Sequence, residues 1–137
     1  MKVFFYGLFM DQDILIKKGL HPSNPQRGYL KDYSLRIEDR AFLIPNKNKR
    51  AYGMIMELNN KEIAILYSEK SVSDYVPEVV EVVAESNENI DVICYNLQFE
   101  VLSGTNKLYA QSLYELAKKL TFPQKYLREI EAYFIGR

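Results

Sequence analysis

Apolar and polar residues alternate in short runs over the first two thirds of the chain, and the last third changes to a helical period. The opening run Val3-Phe4-Phe5-Tyr6 is aromatic and β-branched and stops at Gly7, the pattern of a buried strand entering a tight turn. Asp11 then suits a helix N-cap, with Ile14, Leu15 and Lys18 at helical spacing and Gly19 before His21-Pro22 as the stop. From Gly28 onward, Tyr33, Leu35 and Ile37 alternate with Ser34, Arg36 and Glu38, which predicts a half-buried strand. Ala41 to Ile44, ended by Pro45, predicts a shorter strand, and the polar run Asn46-Lys47-Asn48-Lys49 predicts a turn. Tyr52, Met54, Met56 and Leu58 alternate with Gly53, Ile55 and Glu57 in the next strand.

Asn59 followed by Glu62 has the spacing of a capping box, so a short helix is expected from Lys61 to about Ser68, with Ile63 and Leu66 turned inward. Val76 to Ala84 and Ile90 to Leu97 flank the turn-forming Ser86-Asn87-Glu88-Asn89 and predict a hairpin. Tyr109, Leu113, Leu116 and Leu120 then form one helical face, with Lys118 and Lys119 at its C-terminal end. Thr121 with Gln124 repeats the capping-box spacing, and Leu127, Ile130 and Phe134 make a second apolar stripe. Strands first and helices last predict an α+β fold: a small mixed sheet curling into a barrel, with packed helices against it.

Composition narrows the function. The chain has 137 residues, enough for one domain spanning 1–137 with a core of its own. Lys and Arg total 18 and so do Asp and Glu, so the chain lacks the basic excess of a phosphate-backbone binder, and no nucleic acid partner is expected. The apolar runs are too short to span a bilayer, so no membrane association and a cytoplasmic location are expected. The lone cysteine, Cys94, reads as a buried strand thiol, and with one histidine it leaves too few soft ligands for a zinc site. The abundance of tyrosine, 11 residues, would suit a homodimer interface.

Two features bear chemistry. Tyr6-Gly7-Leu8-Phe9-Met10 lies where a strand meets a helix, and backbone N–H groups after such a glycine turn can converge on a carboxylate. Ile65-Leu66-Tyr67-Ser68-Glu69 ends a predicted helix and leads to Tyr75, which places a carboxylate between apolar elements, where desolvation raises the affinity for a proton.

In order and spacing these segments resemble the γ-glutamylcyclotransferase-like family, also called AIG2-like or BtrG-like. Tyr6, Gly7 and Met10 match its Tyr-Gly-x-x-(Leu or Met) opening, and Gly53-Met54-Ile55-Met56 match a glycine-bearing strand. Ile65, Glu69, Tyr75, Val80 and Val82 match a Leu-Asp-x-x-Glu-Gly segment followed by a tyrosine and a Val-x-Val strand. Leu120 to Leu127 resembles its closing Gly-Leu-Pro-x-x-Tyr element. The chain departs from the pattern at Leu8 and Phe9, at Leu66 in place of aspartate and at Lys70 in place of glycine.

The resemblance implies an enzyme that cyclises a γ-glutamyl amine or peptide to 5-oxoproline and releases the amine, with Glu69 as general acid and base. It implies that the backbone of Gly7, Leu8 and Phe9 holds the substrate's α-carboxylate, that Met10 belongs to the same binding segment, and that Tyr6 and Tyr75 line the pocket. Arg36 and Arg40 are the cations available to a carboxylate. The small-molecule γ-glutamyl substrate supplies nucleophile and electrophile alike, so no cofactor or metal is implied. The alternatives are a non-catalytic small-molecule-binding member of the same fold and an enzyme acting on another aminoacyl conjugate.

Overall fold

The computed structural model describes residues 1–97 and 104–135. Strand β1 (Lys2–Phe5) leads through Gly7 and a short 3₁₀ turn (Leu8–Met10) into helix α1 (Gln12–Lys17). Two long strands follow, β2 (Ser23–Ile37) and β3 (Ala41–Glu57), then helix α2 (Asn60–Leu66), the hairpin β4 (Val76–Ala84) and β5 (Asn89–Asn96), and helices α3 (Lys107–Lys119) and α4 (Gln124–Glu131). The strands close into a barrel in the order β1-β3-β2-β4-β5, sealed by a parallel pairing of Val3 with Ile93. The expected α+β barrel with packed helices is therefore the fold.

Local signals account for most of the element ends. Asp11 caps α1 by accepting from the Asp13 N–H, and Gly19 follows the helix with φ +85°, a conformation in which a Cβ would be strained. Asn59 and Glu62 form a complete capping box on α2, which buries Ile63 and Leu66. α3 packs Ala110, Leu113 and Ala117 inward, and α4 packs Tyr126, Leu127 and Ile130.

Two expectations are corrected. The polar run 46–49 is no turn, because β3 continues through it from Ala41 to Glu57. Tolerance for Pro45 and the polar run comes from an irregular register between Lys31 and Tyr33, with Asp32 (φ +64°) and Asn48 (φ +67°) left-handed and the Asn48 N–H donating to Asp32 Oδ1 at 3.0 Å. The second capping box also fails. Pro123 occupies the N-cap of α4 without a side-chain cap, and Thr121 bends the chain at φ +60° while its hydroxyl turns to the Leu120 carbonyl.

The core fills the barrel with Phe4, Ile37, Ile55, Met56 and Val82 and continues between barrel and helices through Leu15, Leu66, Leu113 and Ile130. Each such side chain contributes about 1.5–3 kcal/mol by leaving water. Gly53 is required by this packing: a Cβ there would stand 2.7 Å from the Phe4 ring. Cys94 is buried as expected, and burial pushes its thiol up to about 12.

Candidate functional site

One end of the barrel gathers the C-terminal ends of β1 and β5, the β2–β3 turn, the segment between α2 and β4, and the start of α3. Between them lies a cavity of about 340 Å³. Its walls include the aromatic side chains of Phe5, Tyr6, Phe9, Tyr67, Tyr75, Tyr95 and Tyr109, with Asp39 and Arg40 from the β2–β3 turn.

The aromatic wall is tied by both packing and hydrogen bonds. The Tyr6 hydroxyl donates to the Tyr95 carbonyl at 2.9 Å and lies 3.1 Å from Asn96 Oδ1. Asn96 in turn bridges β5 to β3, accepting from the Leu43 N–H and donating to the Leu43 carbonyl, both at 2.9 Å. Tyr67 stacks on Tyr95 at 3.7 Å and 10°, and Phe9 meets Tyr67 edge-on at 6.2 Å. The Tyr75 hydroxyl donates to the Ala41 carbonyl, which fastens the segment before β4 to the start of β3.

Tyr109 meets the glycine turn from α3. Its hydroxyl accepts from the Leu8 N–H at 3.2 Å and occupies the space a Cβ on Gly7 would need. Gly7 is thus glycine because a neighbouring hydroxyl fills the place of a Cβ. Burial raises the hydroxyls of Tyr6, Tyr67 and Tyr75 well above their ordinary value and pushes Tyr109 up to about 12, so these hydroxyls keep their protons at physiological pH.

The sequence-predicted residues divide on this geometry. Tyr6, Gly7, Leu8, Phe9 and Tyr75 line the cavity together. Met10, at 2% exposure, turns into the core instead. Glu69 sits in the α2–β4 segment between the wall residues Tyr67 and Ser71, with its side chain 35% exposed. Both its carboxylate oxygens accept from Lys18 Nζ, at 2.9 and 2.8 Å, and that ammonium lies 5.9 Å from the ring of the wall residue Phe9. Glu69 itself is not among the residues that line the cavity, and Lys18 holds its carboxylate beside the segment that does. Of the two arginines weighed from sequence, Arg40 reaches the wall, whereas Arg36 pairs with the buried Glu38 at 3.0 Å.

Sequence reasoning missed Tyr67, Tyr95 and Tyr109 as wall residues. With Tyr6 and Tyr75 they make five of the 11 tyrosines, so the tyrosine abundance was the one available signal, although six others lie away from the cavity.

A closed five-stranded barrel with an aromatic cavity at the glycine turn after β1 frames a candidate small-molecule site. The γ-glutamyl cyclotransferase, AIG2-like family matches residues 3–129, and the chain belongs to that family. Among solved structures, one described as γ-glutamyl cyclotransferase superposes with a TM-score of 0.81 at 15% identity, covering 100% of this chain and 92% of that one. YkqA from Bacillus subtilis superposes with a TM-score of 0.81 at 19% identity, over 98% of this chain and 54% of that one. A yeast γ-glutamyl cyclotransferase specific to glutathione gives 0.66 at 12% identity, over 98% and 95%. No curated protein matches by sequence. At such identities the structural likeness shows the fold alone. Among the described residues no helix is long and apolar enough to cross a membrane.

Proposed function

We propose that the protein is a cytoplasmic γ-glutamylcyclotransferase-type enzyme, which converts a γ-glutamyl amide to 5-oxoproline and a free amine. The observation that carries this reading is the convergence of the Gly7 turn, Tyr75 and the Glu69 segment on one cavity, in a chain of this family. The substrate's α-ammonium loses a proton to Glu69 and its nitrogen attacks the γ-carbonyl carbon. As the new C–N bond forms and the old one breaks, Glu69 passes that proton to the departing nitrogen, and then takes the second proton from the ring nitrogen, which becomes the neutral lactam while the released amine leaves as its ammonium. Turn and aromatic wall hold amine and carbonyl in contact, and the fixed wall lowers the entropic part of the barrier. For this, Glu69 swings from Lys18 over the rim, a change of side-chain rotamer.

A second reading, a non-catalytic small-molecule-binding protein of the same fold, is favoured by one observation: the Glu69 carboxylate is bound to Lys18 rather than aimed into the cavity. Release of 5-oxoproline from a panel of γ-glutamyl amino acids and γ-glutamyl amines separates the two, with Glu69→Gln run in parallel. Release that falls by about 100-fold or more in the variant supports the enzyme. Absence of release with retained binding, or equal release by both proteins, removes Glu69 from its role.

A further inference from the structure

Charged side chains are scarce on the cavity wall. Among the described lining residues only Asp39 and Arg40 carry charge. The Arg40 guanidinium is already committed: its two terminal nitrogens donate to Asp74 Oδ1 and Oδ2 at 2.6 and 2.9 Å, and one also donates to the Ser71 carbonyl at 3.2 Å. It also lies 5.4 Å from the Tyr75 ring. Lys18, behind Phe9, is bound to Glu69 and lines no wall. Ser71 and Asn106 are the polar uncharged side chains of the lining, and the Asn106 amide is taken up by the Tyr109 N–H and the Asp39 carbonyl. The rest of the wall is aliphatic or aromatic around Gly7, and its flattest element is the Tyr67–Tyr95 stack.

A γ-glutamyl amino acid or peptide carries two carboxylates, one on the glutamyl head and one on the leaving portion. The backbone turn at Gly7 serves the first under the cyclotransferase reading. The second would enter a largely aromatic cavity beside Asp39, with its one lining guanidinium already paired to Asp74, and would lose hydration without gaining an unpaired cation. An aromatic amine without a carboxylate meets no such cost and has ring faces to pack against.

Resting on that cyclotransferase reading, we propose that the Arg40–Asp74 pair determines specificity, and that the substrates are γ-glutamyl amides of aromatic amines lacking a carboxylate. Asp74 acts by holding Arg40 away from the leaving portion.

The test is a matched pair of substrates, γ-glutamyl-phenethylamide and γ-glutamyl-phenylalanine, which differ by one carboxylate on the leaving portion. In cyclisation of the first, the α-nitrogen bonds the γ-carbonyl carbon and phenethylamine departs with the returned proton. Wild type is expected to show kcat/KM at least about tenfold higher for the phenethylamide. Asp74→Asn frees the guanidinium, and should raise kcat/KM for the phenylalanine conjugate and narrow the ratio. Equal or better turnover of the phenylalanine conjugate by wild type overturns the proposal, and an unchanged ratio in a folded Asp74→Asn overturns the role of the pair. If neither compound is cyclised, the enzyme reading fails, and calorimetric binding of the same two compounds decides the preference separately. Tighter binding of the phenethylamide sustains it, and equal or weaker binding overturns it.

Discussion

The wall and the rim of the cavity are held by different forces. Tyr6, Tyr67 and Tyr109 are fixed by aromatic packing and by hydrogen bonds to the backbone, in surroundings that raise their hydroxyl pKa values. Glu69 and Lys18 are held by an ion pair whose side chains are 35% and 32% exposed, whereas Arg40 is fastened by a bidentate bond to Asp74 and a further bond to the Ser71 carbonyl. Burial makes geometry costly to change, whereas exposed ion pairs form and break at little cost. A shaped wall with adjustable charges at its mouth suits a site where one carboxylate must reach a bound substrate and withdraw again.

The sharpest way to break this contrast is through the wall's foundation. Phe4 is 1% exposed, faces the cavity and packs on Gly53. Phe4→Ala should cost about 3–5 kcal/mol in urea-induced unfolding. A cost below about 1 kcal/mol would mean that the wall is not set by core packing. Gly7→Ala comes next. Its Cβ would collide with the Tyr109 hydroxyl, and overpacking of this kind costs about 1–3 kcal/mol. Adding Tyr109→Phe removes the obstructing oxygen and should restore part of the loss. Failure of the double variant to recover would show that the turn rejects the methyl group for another reason.

Alkaline pH probes the same wall without mutation. Tyr109 titrates at about 12 when folded against an ordinary value of 10.0, and Tyr6, Tyr67 and Tyr75 shift the same way. The folded state therefore binds these protons more tightly than the unfolded state. The contribution is complete below pH 10 and is lost as pH rises toward 12. Melting temperatures followed from pH 8 upward should begin to fall near 10, and less steeply in Tyr109→Phe. An identical fall in the variant would remove Tyr109 as a source.

Sequence periodicity carried the fold because the barrel strands alternate and the helices have caps and stripes that local chemistry specifies. Asn59 with Glu62 behaved as read, since both partners of that box lie within one turn. Thr121 with Gln124 did not, because Thr121 takes φ +60° and turns its hydroxyl away from the helix. The course of β3 through Pro45 was hidden for a similar reason: its continuity depends on pairing with β2 and on the Asp32–Asn48 contact, partners distant in sequence. In the site, Tyr6, Gly7 and Tyr75 were legible from motif and order. Tyr67, Tyr95 and Tyr109 were not, because each also satisfies the apolar period of its own element, and only closure of the barrel shows which ring faces the cavity.

The smallest effect on stability is expected at the rim, where it separates structure from activity most cleanly. Lys18→Met keeps the unbranched apolar stem and removes the charge that holds both oxygens of Glu69. Because the pair is partly exposed, its loss should change unfolding free energy by no more than about 1 kcal/mol. Turnover should respond differently under the cyclotransferase reading, since the carboxylate no longer has to leave an ion pair before it meets the substrate amine. Added salt weakens such an exposed pair. Raising ionic strength should therefore increase turnover in wild type and have little effect in Lys18→Met. A stability loss of several kcal/mol would show the pair to be part of the framework, and the division between fixed wall and adjustable rim would then fail at the residue on which the mechanism depends.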